Sequence, residues 1–298
     1  MIVRKYGEQL KTFGVASVAV ASVVFFLFFA ISAQATTTRV SLWGAPSAVL
    51  PLLRELQPNI DWQLESDGSE AQLHITWQPD AYKRLQMTGK REPALLLTSS
   101  LNDQQLIRSQ DSALVWGPPL SQQVRLALRV MPGAKRIGVI ARRRPDPEAM
   151  QMQMRNMDVV AASVRSEGVT LVPLVMSAPI SARALAEASE QVDIFVATND
   201  DALFNRETAK LILLTAYRHK RALIGPSPAF VSAGAVATMA VSKSALLAEL
   251  LARIERWQKN GRLGAPEIVG NFQPVLNPQV ARSLGLYLSP DLLREARP

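Results

Sequence analysis

Short apolar runs alternate with stretches of helical period along most of this chain. "RVSLWG" (Arg39–Gly44) reads as a strand, and Pro46 opens a helix to about Leu56. "DWQLES" and "AQLHITW" are strand-like, and Pro79–Met87 is a short helix. "PALLLTSS" (Pro93–Ser100) is apolar without alternation, as expected of a parallel strand covered on both faces. Val124, Leu128 and Met131 follow helical spacing until Pro132-Gly133 stops them. From Lys135 to Ser227 the pattern is regular. "KRIGVIA", "VTLVPLVM", "VDIFVAT" and "RALIGPS" read as strands, separated by three helices. The first of these helices has Asp146 as N-cap, Pro147 at its first position and Gly168 at its end. Alternation of this kind predicts a doubly wound parallel sheet. "GAVATMAVS", a helix over Lys243–Lys259 ended by Asn260-Gly261, strand-like "EIVGNFQPVLN" and two short helical segments follow. This tail is too small for a third domain.

The expected architecture is therefore two doubly wound α/β lobes with a cleft between. Residues 119–231 form the second lobe. Residues 36–118 form the first, shortened lobe, completed by the tail from about residue 232 to 298. Hinges are expected near Pro118–Pro119 and Gly225–Ser232.

The N-terminus reads differently. Arg4, Lys5 and Lys11 precede an apolar run from Phe13 to Ile31, which ends in "SAQA". This predicts a secretory signal over residues 1–35, with an uncleaved inner-membrane anchor as the alternative. Either way the remainder is exported and periplasmic. The chain of 298 residues has no cysteine, so disulfides and thiol chemistry are excluded. Its net charge of +8 is spread along the chain apart from Arg142, Arg143 and Arg144, which read as a solvated loop. No nucleic-acid-binding module is present.

Motifs for catalysis are missing: there is no G-x-S-x-G, Walker loop or H-E-x-x-H. No cofactor is implied. His74 and His219 are far apart and read as structural or exposed. Met150, Met152, Met154 and Met157 could offer soft sulfur to Cu(I), but three of them share a helical face suited to core packing. Ligands of open α/β sheets bind beyond the carboxyl ends of strands. That rule selects Trp43, Ser99, Asn199, Asp200, Ser227 and Phe230 as ligand-binding candidates. Trp43, Trp116 or Phe230 would cover an apolar ligand body, while Asn199 and Asp200 would anchor its polar groups. Asp201 is expected to cap the helix that follows.

Four segments, in order, resemble one known family. They are "LALRVMPGAKRIGVIA", "VDIFVATNDDALFN", "ALIGPSPAFVSAGAVATMAVS" and "FQPVLNPQVARSLGLYLSPDLLREA", spanning Pro119 to Ala296. Together they resemble the ABC-transporter substrate-binding proteins of the type I periplasmic group. Residues 36–118 depart from that pattern, with "TSSLND" where the family often carries an S-D-P turn. The resemblance implies a solute-binding protein that closes its lobes around a small-molecule ligand, such as an amino acid. Asn199 and Asp200 match the family's polar clamp. The implied partner is an inner-membrane ABC permease. The alternative is a sensor or accessory protein of a membrane receptor or signalling protein that retains the fold.

Overall fold

The computed structural model describes residues 37–47, 49–65 and 70–296. The expected export signal lies outside the described residues.

Two six-stranded sheets organise the chain. The first has the order β2-β1-β3-β4-β5-β11, built from β1 (Thr38–Trp43), β2 (Ile60–Leu64), β3 (Leu73–Trp77), β4 (Ala94–Thr98), β5 (Ser112–Val115) and β11 (Glu267–Ile268). The second has the order β7-β6-β8-β9-β10-β12, from β6 (Arg136–Arg142), β7 (Thr170–Met176), β8 (Ile194–Ala197), β9 (Ala222–Ile224), β10 (Ala237–Ala240) and β12 (Gln273–Leu276). The two orders are the same pattern repeated, and every pairing is parallel except β10 with β12. In each lobe the strand order reverses next to the first strand. A doubly wound sheet opens its ligand crevice at such a reversal.

The apolar runs become strands because both faces are covered. β4, β5 and β8 are buried at every position. In the first lobe α1 (Val49–Leu56) packs on one face through Leu53, and α2 (Gln78–Met87) packs on the other through Tyr82 and Leu85. In the second lobe α3 (Leu120–Val130) and α4 (Pro147–Val164) cover one face. The helices α5 (Ala182–Ser189), α6 (Arg206–Arg218) and α7 (Pro228–Ala233) cover the other. Asp146 caps α4 as its sequence requires, accepting from the N–H groups of Glu148 and Ala149. Met157 is buried on this helix and Met154 packs beside it, so these two serve the core, while Met152 is exposed.

The tail divides where the sequence reading kept it whole. β10 and β12 belong to the second sheet, and α9 (Pro278–Ser283) and α10 (Pro290–Glu295) pack on that lobe. Only α8 (Lys243–Asn260) and β11 return to the first lobe. Arg253, fully buried on α8, fixes that return by donating to Ser112 Oγ (3.0 Å) and to the carbonyls of Leu263 and Ala265 (both 2.7 Å). The chain therefore crosses between lobes three times: at 116–119, at 241–242 and at 269–272. Gly225–Ser232, expected as a hinge, lies wholly inside the second lobe, because β10 adds to the sheet beside β9.

The first lobe keeps a full sheet, and its shortening falls on the helical cover. The eight-residue α1 stands between β1 and β2 where the eighteen-residue α4 stands between β6 and β7, and a 3-10 segment, Leu101–Leu106, replaces α7 between the equivalent strands.

Candidate ligand-binding cleft

The carboxyl ends of both sheets meet beside the first crossing, and Pro118 stands between two chambers. On one side Ser99 and Gly117 of the first lobe face Asn199 and Asp200 of the second, around a polar space of about 120 Å³. The lobes touch closely there. A Cβ on Gly117 would lie 1.8 Å from the Ser99 carbonyl oxygen and 2.5 Å from Asn199 Nδ2, so only glycine fits. Asn199 Nδ2 donates to the Pro118 carbonyl at 3.1 Å.

Asp200 is engaged on both oxygens. Oδ2 accepts from Arg142 Nε at 3.0 Å and pairs with Arg144 Nη2 at 2.9 Å, while Oδ1 accepts from the Ala202 N–H at 3.1 Å. Its side chain is 6% exposed. Of the arginine triplet, read from sequence as a solvated loop, Arg142 and Arg144 are thus drawn inward and only Arg143 is exposed. The switch-point geometry sets β6 beside β8, and the buried carboxylate at the end of β8 draws two guanidinium groups from the end of β6. Gln123 of α3 is also satisfied, by the Gly225 carbonyl (2.9 Å), Thr238 Oγ1 (3.2 Å) and the Met239 N–H (3.0 Å).

Two further carboxylates approach this wall from opposite lobes. Burial holds the Asp103 carboxyl above the usual range, against a hydrogen bond from Thr98 Oγ1 that works the other way. Burial, then the charge of Asp200, raises Asp201 likewise. Asp201 does not cap α6. That helix begins five residues later, where Asn205 and Thr208 form a capping box. Residues 200–205 instead turn back, with the Asp200 carbonyl accepting from Leu203 (3.0 Å) and Phe204 (2.9 Å), which drops both side chains into the core.

Of the sequence candidates, Ser99, Asn199 and Asp200 come together in this wall. Trp43, Ser227 and Phe230 do not. Trp43 is buried under α2, with its Nε1 donating to Ser41 Oγ at 2.9 Å. Phe230 sits on the inner face of α7, its ring meeting Phe204 edge-on at 6.0 Å. Strand alternation and helical phase send both side chains inward. Ser227 precedes α7 without capping it and lines neither chamber.

The second chamber, about 480 Å³, lies across Pro118 at the strand-order reversal of the first lobe. Its walls are apolar: Trp77 ends β3, Trp116 follows β5, Leu52 comes from α1, Val241 from the second crossing and Leu246 from α8. The rule that selected Trp43 after β1 selects Trp77 after β3 equally well, once β3 is known to adjoin the reversal.

Ser41, His74 and Glu92 form the one serine–histidine–acid grouping nearby. Glu92 Oε2, 3.6 Å from His74 Nε2, favours the proton on that nitrogen, which leaves Nδ1 to accept from the Ser41 hydroxyl while Ser41 Oγ accepts from Trp43. Ser41 and His74 are fully buried side by side in the sheet and line neither chamber. They form a buried hydrogen-bonded hub. Among the described residues no group of three or more His, Asp or Glu is placed to hold a metal ion.

Two lobes of this topology, joined by three crossings, define the type I periplasmic-binding-protein fold. Solved structures agree. A domain in complex with L-Trp from Streptococcus pneumonia superposes with a TM-score of 0.61 at 15% identity, covering 87% of this chain and 97% of its own. A conserved domain protein from Vibrio cholerae gives 0.62 at 16% identity, covering 88% and 99%. The ligand-free, open structure of a substrate binding protein with adhesive properties from Clostridium difficile gives 0.64 at 12% identity, covering 85% and 96%. No protein-family model matches the chain, and no curated protein matches it in sequence.

Proposed function

We propose that this protein is an exported solute-binding protein that takes a small molecule between its lobes. One observation carries the reading: two like-wound lobes meet at the carboxyl ends of their strands, across three crossings that can act as a hinge, with a half-open chamber at their junction. The apolar chamber falls within the size range of small-molecule sites, about 300–1,000 Å³, while the polar one is below it.

Ser99, Asn199 and Asp200 form the polar wall of this junction in the proposed mechanism. Asn199 ties the second lobe to the first crossing through the Pro118 carbonyl, and Asp200 is held within its own lobe, so both become ligand contacts only where a ligand displaces Pro118 or the arginines. The basic-apolar N-terminal pattern assigns the protein to the periplasm, and the partner follows as an inner-membrane permease or receptor. Among the described residues no helix is long and apolar enough to cross a membrane.

A thermal-shift screen of the purified protein against amino acids, sugars and organic acids tests the reading. A ligand at one hundred times its Kd stabilises the folded state by about 2.7 kcal/mol. A library that leaves the melting temperature unmoved throughout would count against a solute-binding role.

A further inference from the structure

We infer that the solute is an aromatic or similarly flat carboxylic acid without an α-amine, seated in the apolar chamber with its carboxylate at Lys243. The inference rests on the solute-binding reading and narrows it to one chamber and one ligand class.

The shape comes first. A chamber of about 480 Å³ walled by two indoles, prolines and aliphatic side chains suits a flat apolar body, which stacks on or meets an indole edge-on. Polar specificity comes from few groups. The indole N–H of Trp116 is buried and has no hydrogen-bond partner. That N–H is closed off from solvent, so the Trp116 indole offers apolar surface to a ligand and the polar contact falls to Lys243.

The charge pattern then decides the ligand class. Lys243 is the only ionisable side chain in the wall. It is exposed at the rim, as the first residue of the eighteen-residue helix α8, and forms no ion pair with a described residue. A cation at a helix N-terminus favours an anion. No aspartate or glutamate lines the chamber. The ammonium of an amino acid would therefore enter an apolar site without a carboxylate partner, which costs affinity. The acidic groups of the junction lie across Pro118, where Asp200 is already held by Arg142 and Arg144.

The test uses protein purified from a host that exports the full chain. Benzoate, phenylacetate and indole-3-acetate are titrated beside L-phenylalanine, L-tryptophan and phenethylamine, followed by calorimetry and tryptophan fluorescence. The acids are expected to bind at least about tenfold more tightly than their amine-bearing counterparts. Lys243→Met should weaken acid binding several-fold and remove its salt dependence. Leu246→Trp fills the chamber and should abolish binding. Where that variant folds poorly, Trp116→Leu supplies the second arm: it removes an indole from the wall and should weaken acid binding several-fold. Tighter binding of the amino acids overturns the inference. So does binding of any solute that survives Leu246→Trp but is lost in Asn199→Ala, which would place the solute in the polar chamber and leave the solute-binding reading standing. A flat response to these acids, with a sugar or amino acid active in the broad screen, overturns the ligand class alone. A flat response to every solute overturns both.

Discussion

Asn199, at the end of β8 in the second lobe, donates from Nδ2 to the carbonyl of Pro118 on the first crossing, 3.1 Å away. Gly117 packs between that amide and the Ser99 carbonyl with no room for a Cβ. The contact ties the second lobe to the first crossing on the polar side. Gly117→Ala is therefore expected to wedge the lobes apart. The chain has no cysteine, so a labelled cysteine pair, one on each lobe, reads the change as a longer mean interlobe distance. An unchanged distance distribution would show that the close approach does not govern opening.

Asp200 neutralises two partly buried guanidinium groups. Replacing it with alanine leaves Arg142 and Arg144 beside each other without a counterion, and stability should fall by about 2 kcal/mol. Arg144→Met added to Asp200→Ala should recover part of the loss, with a coupling of about 1 kcal/mol. Urea denaturation of the four proteins of this cycle measures it. Strict additivity would mean that the pair contributes no net interaction.

Asp103 carries a carboxyl whose folded-state pKa is raised chiefly by burial. The folded protein then binds this proton more tightly than the unfolded chain does. The group is without cost below the usual carboxylate range and becomes destabilising as pH rises through the folded value. Asp103→Asn keeps an acceptor for Thr98 Oγ1 and removes the charge. It should raise the melting temperature at pH 7, with the gain shrinking towards pH 4. A gain that persists undiminished in acid would point to a cause other than the buried charge.

His74 behaves oppositely. Burial lowers its pKa, against a smaller raising effect from Glu92. Its neutral ring accepts from Ser41, and the stability this confers is complete above the unfolded value of about 6.5 and lost as pH falls through the folded one. Wild-type stability should decline on that acid limb, and His74→Gln should flatten the limb at a cost of about 1–3 kcal/mol at pH 7. Denaturant midpoints taken between pH 4 and 8 check both points.

The sequence is most legible where structure is local. The strands "PALLLTSS", "KRIGVIA" and "VDIFVAT", the Asp146-Pro147 start of α4 and the Gly261 end of α8 all follow from apolar runs and capping chemistry within a few residues. At the start of α6 two acidic residues and one Asn–Thr box compete for the cap, and burial of Leu203 and Phe204 decides for the box.

By itself the sequence determined two α/β lobes and the strand ends at which a ligand could be met, because backbone geometry and apolar periodicity act over short spans. Only the tertiary structure decided which lobe each part of the tail joins. It also paired Arg142 with Asp200 across 58 residues, turned Trp43 and Phe230 into core, and set Trp77 opposite the second crossing. Those outcomes depend on strand order. A strand carries the same apolar pattern wherever it enters a sheet, while its neighbours, and so the partners of every side chain at its end, are fixed by its place in the order.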